Sequence, residues 1–388
     1  MPDLDLQGVA VERHYGMDWL RIGAFGLLIL YHIGMFFVPW GWHVKTAHPA
    51  DWVAVPMLAT NAWRIPLLFV VSGFASAALF ARSPRIAAFL GNRTARLLVP
   101  TIFAMAVIIP PQPWVELQYQ HGYSQGFWHF WASDYFGFDA IEGIVMPTWQ
   151  HLWFVVYLWA YTLVLGALLA LPRSWLDAAR RLTVAALAGG RVLLVPLVLL
   201  LARLVIGWPG QDETHALLDD GFAHTLFLPA FLFGFLLCGA QPLWEGIRQW
   251  WRVAAVIAVI SYVIVAGLEL HFPGDTVAPP GLGMTYAAAR TVQCWTAIIA
   301  LIGLADAHWN QDHPWRAILV EAVFPFYIIH QTIIVVLGWY LLPLALPPLA
   351  EFGILLGATG AGCWLFYLAG REVPVLRQLI GLRRINRV

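Results

Sequence analysis

Residues 15–37 read YGMDWLRIGAFGLLILYHIGMFF. About 20 apolar residues in a helix cross the hydrocarbon core of a bilayer, so this stretch is long enough to span. It nevertheless carries Asp18, Arg21 and His32. Asp18 and Arg21 are three residues apart and share a helix face. From Arg21 to His32 is about three turns, so both lie on one stripe, roughly 16 Å apart along the axis. Ionisable groups inside a membrane are costly and usually face a polar cavity. The three residues therefore mark a candidate intramembrane site. The plainer alternative makes Arg21 a topology anchor and His32 a packing residue.

The rest of the chain repeats this apolar character. Of 388 residues 60% are hydrophobic and 11% charged, against about 25% charged in soluble domains. Mean hydropathy is +0.71. That excludes a soluble enzyme and a disordered chain, and a net charge of zero excludes a nucleic-acid binder. Apolar runs recur near 17–39, 54–80, 97–114, 149–171, 192–209, 222–240, 253–270, 284–304, 317–346 and 352–370. All but one of the 22 basic residues are arginine, and they sort by loop. Arg13 precedes the first run. Arg82, Arg85, Arg93 and Arg96 follow the second, and Arg173, Arg180, Arg181 and Arg191 the fourth. Arg248 and Arg252 follow the sixth, Arg316 the eighth, and Arg371, Arg377, Arg383, Arg384 and Arg387 the tenth. The alternate loops carry only Lys45. The positive-inside rule then predicts an all-α, polytopic membrane bundle of about ten transmembrane helices, with both termini cytoplasmic. Residues 1–16 form a cytoplasmic N-terminal segment without a signal-peptide apolar region, so the first run is expected to be retained. Residues 17–370 form the membrane domain, and 371–388 a basic cytoplasmic tail suited to anionic lipid.

Other stretches carry candidate chemistry. WRIPLLFVVSG at 63–73 places Arg64 in an apolar run, and Ser72-Gly73 permits close helix contact. Arg93 and Arg96 put two guanidinium groups on one helical face, a fork that suits phosphates but also serves topology. His151 and Trp153 stand in HLWF at 151–154, and His330 in YIIHQ at 327–331, deep in a span. Residues 111–148 are rich in Trp and Tyr, as a sugar-binding surface or an interfacial belt would be, and 211–220 are acidic. Cys238, Cys294 and Cys363 sit apart in apolar runs and read as small buried hydrophobes. No histidine pair has a metal spacing, and no GxSxG, P-loop or GxGxxG occurs.

Taken together, these motifs resemble the acyltransferase 3 family of integral membrane acyltransferases. The resemblance rests on DWLR at 18–21 with His32 (an R-x10-H pattern), FVVSGF at 69–74, RTAR at 93–96, HLWF and YIIHQ, over about residues 13–380. GWHVKTAHPADW at 41–52, WRIPLLFVVSG, VIIPPQPWVELQY at 107–119 and FLPAFLFGFLL at 227–237 resemble its glucan biosynthesis protein C branch. The resemblance implies a multi-pass protein of the bacterial inner membrane. It would move an acyl group, succinyl or acetyl, from cytoplasmic acyl-CoA to a hydroxyl of a periplasmic glycan, most simply a glucan, without a metal. It maps the catalytic histidine onto His32 and the motif arginines onto Arg21, Arg93 and Arg96.

On this reading His32 is the base, with a covalent acyl-His32 as the variant. Asp18 orients Arg21, and Arg21, Arg93 and Arg96 hold the CoA phosphates. Arg64 or Arg290 could take the second carboxylate of a succinyl donor, and either could equally be structural. Ser72, His151, Trp153 and His330 are candidates for the substrate side. The partners expected are membrane lipid and the glycan, not nucleic acid. The competing classes are a transporter or flippase for a glycan or lipid-linked sugar, and an inactive scaffold.

Overall fold

The computed structural model describes residues 14–207, 213–274 and 276–383. Arg13, most of the 1–16 segment, the start of the acidic 211–220 stretch and the end of the 371–388 tail lie outside them. The described chain is helical. In order, the helices are α1 Tyr15–Phe37, α2 Ala54–Asn61, α3 Arg64–Arg82, α4 Ile86–Phe103, α5 Pro111–His121, α6 Phe127–His129 and α7 Trp153–Leu169. They continue as α8 Arg173–Leu187, α9 Arg191–Gly207, α10 Gly221–Leu237, α11 Gln241–His271, α12 Pro280–His308, α13 Pro314–Leu341, α14 Pro348–Glu372 and α15 Pro374–Leu379. Several open on proline at the first turn, where the missing N–H has no helical partner to lose. The strands are β1 Ala140–Ile141 and β2 Ile144–Val145, an antiparallel hairpin with Ala140 opposite Val145.

Among the described residues, seven helical stretches are long and apolar enough to cross a membrane, and up to nine if each of two bent pairs is one span. The shorter α10, 17 residues long, occupies the remaining expected run. Among the described residues, each of the ten apolar runs therefore falls mainly on helix, the one near 54–80 on α2 and α3 and the one near 97–114 on α4 and α5. Two details differ from expectation. The run near 97–114 is bent by 44° between Ile108 and Pro111. The loop expected between 171 and 192 is the helix α8, set at 96° to α9. Its charged and apolar residues alternate with helical period, and an apolar-run criterion does not register that pattern.

The chain divides into two compact units. The first comprises Met1–Ala24, Leu58–Arg93 and Tyr157–Arg316. Within it, α3 and α10 meet backbone to backbone. A Cβ on Gly73 would lie 1.9 Å from the Phe231 carbonyl oxygen, and one on Gly234 would lie 1.8 Å from that of Val70. Small residues provide this closeness where apolar burial alone gives helices little reason to associate.

The second unit comprises Phe25–Met57, Thr94–Val156 and Ala317–Val388. Its core packs Ile33, Phe36 and Phe37 of α1 against Val44, Val115 of α5 and Ile334, Val335 and Leu341 of α13. Lys45 closes the end of α1, with Nζ donating to the carbonyls of Met35 (2.5 Å) and Val38 (2.7 Å). Cations are favoured at this end, where the last carbonyls lack helical partners. A π-helical turn at Ala104–Ile108 links α4 to α5. Its carbonyls take side-chain donors instead: Tyr135 Oη donates to Met105, Trp131 Nε1 to Ala106 and Thr332 Oγ1 to Ile108. The 122–148 segment is seated on α5 by the cluster of Leu117, Phe130, Tyr135 and Met146. Within it Tyr123 donates to Asp134, and burial together with that bond raises the phenol pKa.

Candidate active site

The second unit brings three of the candidate histidines together. His32 comes from α1, His330 from α13, and His151 from the 3₁₀ turn Gln150–Leu152 that leads into α7. The His32 and His330 rings are nearly parallel, with centroids 5.0 Å apart. His151 lies edge-on, 5.1 Å from His330 and 6.4 Å from His32. His330 is completely buried and His32 half-buried.

The bonds assign the protons. His330 Nδ1 lies 2.8 Å from the Tyr327 carbonyl oxygen, which can only accept, so Nδ1 carries hydrogen. In the neutral ring Nε2 is then a lone pair. His32 Nδ1 is 2.7 Å from that nitrogen and must donate to it. The neutral His32 ring is therefore left with its lone pair on Nε2. One imidazole fixes the tautomer of another, as a carboxylate does in a catalytic triad.

His151 is tied to the same turn of α13. Its Nε2 donates to the Tyr327 carbonyl at 3.0 Å, and the Tyr327 hydroxyl donates to the His151 carbonyl. His151 Nδ1 is buried without a hydrogen-bond partner. An unmet buried acceptor costs about 1–3 kcal/mol, which a hydroxyl donor from a ligand would relieve.

A second polar chain runs beside the first. Thr332 Oγ1 donates to the Ile108 carbonyl (2.8 Å) and accepts from Gln112 Nε2 (2.7 Å). Gln112 Oε1 accepts from Gln331 Nε2 (3.0 Å), which also donates to His43 Nε2 (3.0 Å). His43 must then hold its proton on Nδ1, which donates to Glu116 Oε2 at 2.5 Å. The sequence does not single out His43, Gln112, Glu116 or Gln331 as site residues. Nothing local marks them, because His43 and Glu116 are 73 positions apart and Gln112 and Gln331 are 219 apart.

The remaining candidates are placed as follows. Trp153 opens α7, and Arg96 is exposed on α4. In the first unit, Asp18 is ion-paired to Arg316 at 2.7 Å, and Arg316 also holds Asp312 at 2.7 Å. The expectation that Asp18 serves Arg21 is thus supplemented by a partner 298 positions away. Arg21 and Arg93 are half-buried. Arg64 is buried at the start of α3, its Nη1 3.3 Å from Thr60 Oγ1. The Ser72 carbonyl accepts from Ser76 Oγ at 2.7 Å. No group of three or more His, Cys, Asp or Glu suited to a metal occurs among the described residues.

A family described as an acyltransferase domain matches residues 14–368. Proteins named "Glucans biosynthesis protein C" from Escherichia coli strains 536, SMS-3-5 and SE11 are each 29% identical over 150 residues. That stretch is 39% of this chain and 37% of each relative, so the likeness takes in well under half of those proteins. No solved structure matches.

Proposed function

Because this chain belongs to the acyltransferase domain family, we propose that it is a multi-pass O-acyltransferase of the bacterial inner membrane, moving succinyl or acetyl from cytoplasmic acyl-CoA to a hydroxyl of a periplasmic glycan. The observation that carries the reading is the 2.7 Å bond between His32 Nδ1 and His330 Nε2. It leaves a lone pair on His32 Nε2, as a general base requires. The name of these relatives supports a glucan as the acceptor.

The steps balance. His32 Nε2 takes the proton of the acceptor hydroxyl as its oxygen forms a bond to the thioester carbonyl carbon. The C–S bond then breaks, and the leaving thiolate takes the proton from the imidazolium. The bond to His330 Nε2 stabilises the charge while it is on His32. His151 Nδ1 receives a hydrogen bond from a neighbouring hydroxyl of the acceptor. Arg21, Arg93 and Arg96 are the candidates for the donor's phosphates, Arg64 is a candidate for the donor's second carboxylate, and Ser72 is a candidate for the substrate side. Trp153 offers an aromatic face to the acceptor.

The test is label transfer in vesicles of both orientations, with labelled succinyl-CoA and acetyl-CoA offered in parallel to a glucan. Wild type is expected to label the glucan from one donor, supplied at the cytoplasmic face. His32→Ala is expected to lose that transfer by about 10²–10⁴-fold. Undiminished transfer by correctly inserted His32→Ala would overturn the assignment. Glycan movement without thioester consumption would make the protein a transporter.

A further inference from the structure

The polar chain that ends on Glu116 is not used by the steps above. Donation diverges from the Gln331 amide, through Gln112 and Thr332 to the Ile108 carbonyl on one side and to His43 on the other. Both His43 nitrogens are occupied, Nε2 by the Gln331 amide and Nδ1 by the Glu116 carboxylate. His43 therefore cannot exchange protons with a ligand, and its effect is to hold Glu116 in one orientation. The exposure runs the same way, since the His43 side chain is 7% exposed and that of Glu116 21%. The end of the chain that reaches the surface is a carboxyl group that accepts from His43. One of its roughly four lone-pair positions is taken by His43.

Aromatic side chains share the elements that carry this carboxylate and its histidine. Tyr119 and Gln120 follow Glu116 at i+3 and i+4, on the same face of α5. Gln120 Nε2 donates to the carbonyls of Trp42 (2.7 Å) and His43 (3.2 Å), which fixes that segment beside α5. The Trp42 ring is 5.4 Å from that of His43, and the Tyr119 ring stands edge-on to Trp339 at 6.2 Å. Indole and phenol faces cover the C–H faces of a pyranose, and an ionised carboxylate takes hydrogen bonds from its hydroxyls. The same charge opposes a phosphate or carboxylate on the ligand. The chain starts from Gln331, the residue after His330. The carboxylate and the His32 pair thus hang on consecutive residues of α13, with Cα atoms about 3.8 Å apart.

We propose that Glu116, fixed by His43 and flanked by Trp42, Tyr119 and Trp339, is a saccharide subsite that selects neutral, hydroxylated acceptors over anionic ones. The proposal rests on the glycan-acceptor reading and deepens it.

Purified protein in detergent would be titrated with a neutral β-linked glucose hexamer and, separately, with the hexamer oxidised to uronates, following tryptophan fluorescence. Wild type should bind the neutral hexamer saturably and the oxidised one at least about tenfold more weakly. Glu116→Gln retains an acceptor for His43 but removes the charge. It should lose about tenfold in affinity for the neutral hexamer, because hydrogen bonds to ionised groups are about twice as strong as neutral ones. Wild-type affinity in folded Glu116→Gln overturns the proposal and leaves the glycan reading intact. If the variant does not fold, the wild-type comparison decides, and equal binding of both hexamers overturns the proposal. If wild type consumes acyl-CoA yet binds neither hexamer, the saccharide acceptor itself fails, and the proposal with it.

Discussion

At the residue scale the site turns on the side chain that faces His32. The sequence selects His32, His330 and His151 because each is an ionisable group in an apolar run. It gives no sign that His330 bonds to His32, since 298 positions separate them. The same distance conceals Asp18 and Arg316. His43 and Glu116 lie inside the quoted stretches 41–52 and 107–119, yet each alone reads as an ordinary polar residue near a helix end. Only the fold makes them a pair. His330 is on this account a positioning residue, and two substitutions separate that role from a structural one. His330→Gln can place Oε1 near the former Nε2, to accept from His32 Nδ1, and should retain transfer within about tenfold. His330→Leu offers no acceptor and should lose on the order of 10³-fold, in the range seen when a catalytic histidine loses the group that sets its tautomer. Acyl-transfer rates on equally folded variants, with a pH profile for each, give the answer. Equal losses in the two would reduce His330 to packing.

At the scale of elements, contacts were legible where they depend on residue size and illegible where they depend on bending. Ser72-Gly73 signals a close crossing, and Gly73 does lie on the backbone of α10. The partner glycine, Gly234, sits in FLPAFLFGFLL, where nothing in the sequence links it to Gly73. The 44° bend before α5 and the 96° turn between α8 and α9 were not readable from hydropathy, because apolar content does not record direction. The α3–α10 crossing gives a quantitative expectation. Gly73→Ala forces a methyl carbon against the Phe231 carbonyl and should destabilise by about 1–3 kcal/mol or more. Gly26→Ala, where a Cβ meets nothing within 4 Å, should be neutral or slightly stabilising. Thermal unfolding midpoints in detergent compare the two, and equal midpoints would show that the helices separate freely at that contact.

At the scale of the whole molecule, the ten apolar runs and the arginine asymmetry together predict that the chain's C-terminal end is cytoplasmic. A C-terminal fusion should therefore fluoresce as a cytoplasmic reporter and fail as a periplasmic phosphatase, whereas the reverse would break the layout. The same asymmetry makes Lys45 the sequence's single lysine, lodged on the last carbonyls of α1. Amines attack thioesters without a catalyst, and guanidinium groups, protonated at every physiological pH, do not. In the layout above, the cytoplasmic loops offer arginine alone to an activated acyl group, and the one lysine stands on the opposite side. With the proposed thioester donor at the cytoplasmic face, the side-chain amines would be spared slow adventitious modification. An acyl group recovered on the protein would have to be sought on a histidine, hydroxyl or thiol before an amine.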